Sequence, residues 1–153
     1  MLDDFLTTLS KNCREQVRRS LKLYEERAPV TLIEATCVEE ALSFFDELKK
    51  FHTNHWESKG KTGSFANPAW VRFHRTLIQE RFNAGEIQML KITNSDDIAF
   101  LYNYVWRGKI YVLQMGFHYP ENKRFKPGYV AHAMAIVHNK AKGMSVYDFM
   151  HGE

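Results

Sequence analysis

The fold is decided by residues 98–117, which read IAFLYNYVWRGKIYVLQMGF. Over 98–106, large residues alternate with smaller ones, and this period of two predicts a β-strand. An Arg-Gly pair at 107–108 predicts a tight turn, after which the apolar run 109–117 returns as a second strand. With a further predicted strand at 86–93, the hairpin forms an antiparallel meander.

The N-terminal part, residues 1–27, is predicted to be a helical segment with a break at Ser10, because its apolar residues are three and four positions apart. Its polar side carries five basic residues: Lys11, Arg14, Arg18, Arg19 and Lys22. A solvated basic face is the ordinary interpretation of such a side, and a surface that binds phosphate or nucleic acid is the alternative. The β-branched stretch 30–35 predicts the first strand.

Two further helices are predicted between the strands at 30–35 and 86–93. Thr36 and Glu39 have the spacing of a capping box, which predicts the start of the first helix. Asn67 followed by Pro68 predicts the start of the second, because Asn is a favoured N-cap and Pro is favoured at the first helical position. The order of elements is then a helix followed by β-α-α-β-β-β-α-β, a mixed α+β fold in one domain over 1–153.

Beyond the hairpin, Pro127-Gly128 predicts the start of a helix over 128–142, followed by a strand over 144–149. The length of this connection indicates a crossover, so we expect the last strand to lie parallel to 109–117.

The composition is that of an ordinary globular domain, with 153 residues, 44% hydrophobic residues and a net charge of +3. No apolar run reaches the roughly 18 to 20 residues of a membrane span, and the N-terminus has no secretory pattern. Cys13 and Cys37 are isolated, which favours free thiols. We therefore expect a cytoplasmic protein. His52 and His55 lie three residues apart with no acidic or cysteine partner, so no metal site is expected.

The loop before the last helix carries the clearest signal for a ligand. Lys123, Arg124 and Lys126 precede the helix start at Pro127-Gly128. A helix N-terminus presents free N–H groups and a partial positive charge, which suit a phosphate. Routine helix initiation by proline is the competing interpretation.

Glycine near the end of an apolar strand, at Gly116, suggests a β-bulge or the close approach of a ligand. A bulge would free a backbone N–H to hold an acyl carbonyl, whereas a plain strand end is the alternative. Asp148 lies in an apolar strand, where a buried carboxylate would have a shifted pKa. His74 falls on the apolar side of its helix, where a core histidine is the default. His74, Gln114 and Asp148 are the candidate catalytic residues.

Several stretches in order along the chain resemble one family. They are FHTNHW at 51–56 with Gly60, GSF at 63–65, RFHR at 72–75, AFLYNY at 99–104, MGF at 115–117, KPGYVAH at 126–132 and YDF at 147–149 with Gly152. They resemble the GNAT acetyltransferases, in the cellulose-biosynthesis (CelD/BcsL-like) branch related to the FemAB transferases. Members of this branch continue past the point that matches Glu153, so the resemblance also implies a C-terminal truncation. Because their sheets continue beyond the strand that matches 144–149, the resemblance further implies an unprotected edge or an open mouth beside that strand. An apolar edge invites pairing, so we expect a homo-oligomer, such as a dimer or a swapped terminus.

The resemblance implies an acetyl-CoA or other acyl-CoA substrate and an amine acceptor, in the assembly of cellulose or an exopolysaccharide. The implied cofactor-binding residues are Met115, Gly116, Arg124, Lys126, Gly128, Tyr129 and Val130. Two alternatives remain open: a FemAB-like transferase that uses aminoacyl-tRNA, and a non-catalytic module of an exopolysaccharide synthesis complex. Nucleic acid is an expected partner only in the first of these.

Overall fold

The computed structural model describes residues 1–150; Gly152, a part of the family resemblance, lies outside them. The helices are α1 (Leu2–Thr7), α2 (Lys11–Glu25), α3 (Val38–Ser58), α4 (Pro68–Arg81) and α5 (Pro127–Ala141). The strands are β1 (Thr31–Glu34), β2 (Ile87–Thr93), β3 (Asp97–Trp106), β4 (Lys109–Phe117) and β5 (Val146–Asp148). A single 3-10 turn lies at Ser64–Ala66. Within 1–150, no helix combines the length and the apolarity that a membrane crossing requires.

The strands form one mixed sheet in the order β1-β2-β3-β4-β5. The first four strands are antiparallel neighbours, and β5 lies parallel to β4 with α5 as the crossover. The predicted meander, the parallel last strand and the mixed α+β fold are therefore confirmed. At the turn of the hairpin, Arg107 and Gly108 both have positive φ, 49° and 73°. Two such residues give the turn a twist that matches the flanking strands.

Each face of the sheet is covered by a different pair of helices. On one face, α2 and α5 pack on Leu90, Leu101 and Phe117. On the other, α3 packs over Met89, Phe100 and Tyr102, with α4 beside it. Because neighbouring residues of a strand point to opposite faces, the alternation in β3 supplies both cores at once.

Two of the three predicted helix starts are confirmed: α4 begins at Pro68, where Asn67 Oδ1 accepts a hydrogen bond from the N–H of Ala69, and α5 begins at Pro127. The predicted break at Ser10 separates α1 from α2, and the Ser10 side chain caps α2 by accepting from the N–H of Cys13. The predicted capping box of Thr36 and Glu39 is wrong. The N-cap is Cys37, whose side chain makes no cap hydrogen bond, and it is the Glu40 carboxylate that accepts from the Thr36 N–H at 3.1 Å.

The predicted bulge at Gly116 is wrong as well. Gly116 pairs in register with Phe100, and the extra residue in β4 is Leu113, because Tyr102 pairs with Gln114 while Asn103 pairs with Val112. What requires glycine at 116 is the close approach of α3. A Cβ atom there would lie 2.7 Å from the carbonyl oxygen of Leu48.

A buried polar network fixes the C-terminal half of α5 to the sheet. The Gln88 amide donates to Asn139 Oδ1 at 2.8 Å, and the Asn103 amide donates to Gln88 Oε1 at 3.0 Å. At its margin, Glu34 accepts hydrogen bonds from Gln88, His138 and Lys142. Burial raises the pKa of Glu34 and these hydrogen bonds lower it, with a net pKa below the ordinary value. The network thus holds the helix whose other end forms the site described next.

Candidate functional site

A basic cavity of about 390 Å³ lies between α2 and the loop that precedes α5. Its lining contains four cationic and no acidic residues: Asn12, Gln16, Arg19, Asn122, Lys123, Arg124 and Lys126. None of the four cations makes an ion pair within residues 1–150. Positive charge without a protein counter-charge favours an anionic ligand.

Helix α2 holds this loop in place. The fully buried hydroxyl side chain of Ser20 accepts a hydrogen bond from the backbone N–H of Lys126 at 2.7 Å. The Tyr24 and Phe125 rings meet edge to face at 4.8 Å, and Asn122 Oδ1 accepts from the N–H of Arg124 at 3.0 Å. The basic side chains therefore stand on a backbone that is fixed before any ligand arrives.

The start of α5 offers two amides to a ligand. The N–H groups of Gly128 and Tyr129 make no hydrogen bond within residues 1–150, as expected for the first turn of a helix. The N–H of Val130 instead donates to the carbonyl oxygen of Lys126 at 3.2 Å, and the Val130 side chain is fully buried. Val130, which the sequence included among the cofactor-binding residues, therefore has no free group for a ligand.

An apolar groove of about 890 Å³ runs from the start of α5 along its outer side. It is lined by Phe5, Leu9, Cys13, Val17, Met115, Gly128, Tyr129, His132, Ala133, Ile136 and Phe149. Lys126 lines the basic cavity and Gly128, two residues later, lines the groove, so the start of α5 borders both depressions. A ligand with an anionic head and a largely apolar arm would fit the two depressions together, with its head in the basic cavity and its arm in the groove.

The strand edge in this groove is open. Within residues 1–150, β5 pairs only with Lys109–Tyr111 of β4, so the rest of β4 has no partner on that side. The N–H of Met115 donates to Oε1 of Gln114 at 3.1 Å. The Gln114 side chain thus accepts from a backbone N–H that no neighbouring strand uses. A ligand carbonyl can take the place of this side chain.

A second polar group in the groove was not predicted from the sequence. His132 lies one turn after Gly128, and its Nδ1 is 2.8 Å from the hydroxyl of Tyr147 on β5. Burial lowers the pKa of His132 to about 4 and raises the pKa of Tyr147 well above its ordinary value. The imidazole and the phenol are therefore both neutral at neutral pH. The sequence offers one signal for His132: it lies four residues after Gly128, and residues at that spacing share one face of a helix.

Two of the three candidate catalytic residues lie elsewhere. His74 is buried on the opposite face of the sheet, with Nδ1 3.1 Å from the hydroxyl of Tyr102, and burial lowers its pKa. Asp148 is exposed rather than buried, because β5 is the edge strand; its Oδ1 accepts from the N–H of Met150 at 2.7 Å. The predicted burial of Asp148 is wrong. Gln114 alone of the three lies beside the groove. No three His, Cys, Asp or Glu residues among 1–150 are placed to hold a metal ion.

Similarities to known proteins agree with this architecture. The crystal structure of FemX superposes with a TM-score of 0.67 at 14% identity, over 97% of this chain and 50% of FemX. A structure described as "a possible acetyltransferase from Clostridium difficile 630" superposes with a TM-score of 0.51 at 14% identity, over 81% of this chain and 80% of that one. The chain spans about half the length of FemX. No curated protein matches it.

At these identities, the solved structures establish a shared fold and nothing further. The sequence itself carries the assignment to a family. The profile of the family described as "Acetyltransferase (GNAT) domain" matches residues 11–153, which is nearly the whole chain. That match includes both the loop that forms the basic cavity and the helix that begins at Pro127. The chain therefore belongs to the GNAT acetyltransferase family.

Proposed function

We propose that the chain binds acetyl-CoA or another acyl-CoA and transfers the acyl group to an amine. One observation carries the proposal: four cations and two helix amides, all without a partner in the described part of the chain, lie where an apolar groove begins. Helix N-termini with basic neighbours bind phosphate groups through charge-assisted hydrogen bonds. CoA joins a phosphate-rich nucleotide to a mostly apolar arm. The nucleotide suits the basic cavity and the arm suits the apolar groove.

The roles of the residues follow from their positions. The amides of Gly128 and Tyr129 hold the pyrophosphate, and Arg19, Lys123, Arg124 and Lys126 surround the phosphates. The arm of CoA enters the groove beside Met115. Gly128 leaves the helix start accessible, since a Cβ atom there would have only Phe117 nearby, at 3.7 Å. Gly116 contributes indirectly, by letting α3 pack tightly under this part of β4.

The reaction that this arrangement supports is aminolysis of the thioester. The nitrogen of the neutral amine attacks the acyl carbonyl carbon and loses a proton, the carbon–sulfur bond breaks, and the CoA thiolate leaves and takes up a proton, so that an amide and free CoA result. The free edge of β4 offers backbone N–H groups to the carbonyl oxygen as negative charge develops on it. Holding both reactants in the groove supplies the rest of the rate enhancement. The acceptor, on the family resemblance, is an amine of a sugar or small metabolite in cellulose or exopolysaccharide assembly.

Replacing Gln114 with alanine separates two roles for this residue. If its side chain only occupies the Met115 N–H in the empty protein, its removal frees the donor. Because one neutral hydrogen bond contributes about 0.5–1.5 kcal/mol, we expect Gln114→Ala to bind acetyl-CoA roughly 2- to 10-fold more tightly by calorimetry. Unchanged or weaker binding would contradict this role and would favour direct contact of Gln114 with the ligand.

Calorimetric titration with CoA tests the proposed function. The protein is expected to bind CoA, with an affinity that falls as salt is added. Lys126→Ala is expected to weaken binding about fivefold at low salt, since one ionic contact of a partly exposed lysine contributes on the order of 1 kcal/mol. Lys140→Ala, on the exposed last turn of α5 far from the cavity, is the matched control and should bind like the parent. Absence of CoA binding to the parent protein would refute the proposal.

A second candidate function is aminoacyl transfer from tRNA. The superposition on FemX and the unpaired Arg14 and Arg19 on α2 favour it. A tRNA would contact the basic face over several phosphates, so the logarithm of its affinity should fall steeply with the logarithm of salt concentration. Tight, steeply salt-dependent tRNA binding together with no CoA binding would select this function. A chain that binds neither ligand would fit a non-catalytic module.

A further inference from the structure

The hydrogen-bonded pair of His132 and Tyr147 has no part in the phosphate site, yet it stands in the wall of the apolar groove. His132 is half-buried between Phe117 and Phe149, whose ring centroids lie 6.0 and 4.9 Å from its own. Its Nδ1 bonds Tyr147, and its Nε2 makes no hydrogen bond within residues 1–150. Polar side chains are scarce in this groove, and Nε2 is not sealed from solvent, so a ligand that lies in the groove can reach this nitrogen.

The Tyr147 hydroxyl determines which proton the imidazole carries. A neutral imidazole has one donor and one acceptor nitrogen. If the phenol donates to Nδ1, then Nε2 carries the hydrogen and presents a donor at the groove. If Nδ1 donated instead, the phenol hydrogen of the partly buried Tyr147 would have no acceptor within residues 1–150, and a donor left unpaired in such a place costs free energy. The Nε2–H tautomer is therefore the stable one, and the lowered pKa of His132 agrees with a neutral ring.

We propose that Nε2–H of His132 donates a hydrogen bond to an amide carbonyl of the pantetheine arm of CoA, with Tyr147 as its positioning residue. This inference rests on the proposed function, because it takes the phosphates to lie at the start of α5. From Gly128 to His132, four residues along a helix cover about 6 Å. A few covalent bonds separate the last phosphate of CoA from the first amide of its arm, so the carbonyl reaches the level of His132.

The rest of the groove suits that arm. Between its phosphate and its first amide, the arm carries two methyl groups on one carbon, and methylene groups follow. Leu9, Val17 and Ile136 line the groove with aliphatic surface for such groups. An arm buried there would lose the water bonded to its carbonyl, and a protein donor is needed to offset that loss. His132 provides this donor.

The test compares two ligands in parallel: CoA, and phosphoadenosine diphosphate, which is the nucleotide part of CoA without the arm. His132→Phe keeps an aromatic ring of similar size and removes the donor. We expect it to weaken CoA binding roughly 2- to 10-fold and to leave binding of the nucleotide unchanged. His132→Gln, which can place an N–H near the same point, should restore part of the affinity for CoA. Tyr147→Phe should weaken CoA binding less than His132→Phe does.

A double variant shows whether the two residues act together. If Tyr147 acts only through His132, then the His132→Phe/Tyr147→Phe protein should bind CoA no more weakly than His132→Phe alone. Additive losses would contradict the positioning role. Nitrogen NMR of the histidine rings supplies a reading without ligand, and it should show the neutral Nε2–H tautomer for His132; the Nδ1–H tautomer or a charged ring would overturn the inference.

The outcomes also separate this inference from the proposed function. If the parent and His132→Phe bind CoA equally while both bind the nucleotide, the inference is wrong and the phosphate site stands. If both ligands lose affinity to the same extent in His132→Phe, the residue serves the fold rather than the arm, and the inference is again wrong. If the parent binds neither ligand, the proposed function fails, and the inference that rests on it fails too.

Discussion

CoA binding is expected to fall at least about 100-fold when Gly128 is replaced by valine. The side chain of valine would stand beside the free amides of Gly128 and Tyr129 and keep the pyrophosphate away from them. Each hydrogen bond to a charged group contributes about 1.5–3 kcal/mol, so losing two of them removes about 3 kcal/mol or more. Calorimetry with CoA measures the loss directly.

The protein itself should tolerate this substitution. A Cβ atom at Gly128 meets only the Phe117 ring, at the ordinary contact distances of 3.7 and 3.8 Å. We therefore expect the denaturation midpoint of Gly128→Val to stay near that of the parent. Gly128→Ala is the graded control, with an intermediate loss of affinity. A Gly128→Val protein that binds CoA as the parent does would place the pyrophosphate elsewhere.

The second large effect is expected on stability, at Gly116. Alanine there would place its Cβ atom 2.7 Å from the carbonyl oxygen of Leu48 and 3.1 Å from Cβ of Phe51. The oxygen belongs to the backbone of α3, so relief requires the helix to move away from β4. Overpacking of this kind typically costs about 1–3 kcal/mol, and we expect Gly116→Ala to lie at the upper end. Urea unfolding monitored by circular dichroism gives the free-energy difference.

Gly128→Ala is the matched control for this experiment, since it makes the same chemical change at a place where the added Cβ atom meets only ordinary contacts. It should leave the free energy of unfolding within about 0.5 kcal/mol of the parent. A Gly116→Ala protein as stable as Gly128→Ala would show that α3 does not press on β4 at this point. It would also reopen the interpretation of Gly116 as a position reserved for a ligand.

Much of the fold could be predicted because its signals are local. The alternation in 98–106, the turn at 107–108, the N-cap Asn67 and the helix start at Pro127 each depend on neighbours in sequence. The start of α3 was missed by one residue. Its N-cap is fixed by the extended backbone of Cys37, and no side-chain oxygen of the kind that marks a cap in sequence is used there.

The site was harder to predict because tertiary contacts determine it. The basic loop and Gly128 were found from sequence, since a helix start carries its own signature. Arg19 was assigned by default to a solvated face, and only the packing of α2 beside the loop brings it to Lys126. The reason for Gly116 lies 68 residues away, at Leu48. His132 gains its partner only when β5, which follows α5, pairs with β4 and brings Tyr147 against the helix.

Amide NMR during a titration with CoA tests the central claim most directly, because it reports on the individual N–H groups that are proposed to hold the pyrophosphate. We predict that the Gly128 and Tyr129 signals show the largest shifts, followed by those of the loop at 122–126. Shifts confined to another depression, such as the cavity beside Tyr24 and Asn94, with Gly128 and Tyr129 unmoved at saturation, would contradict it.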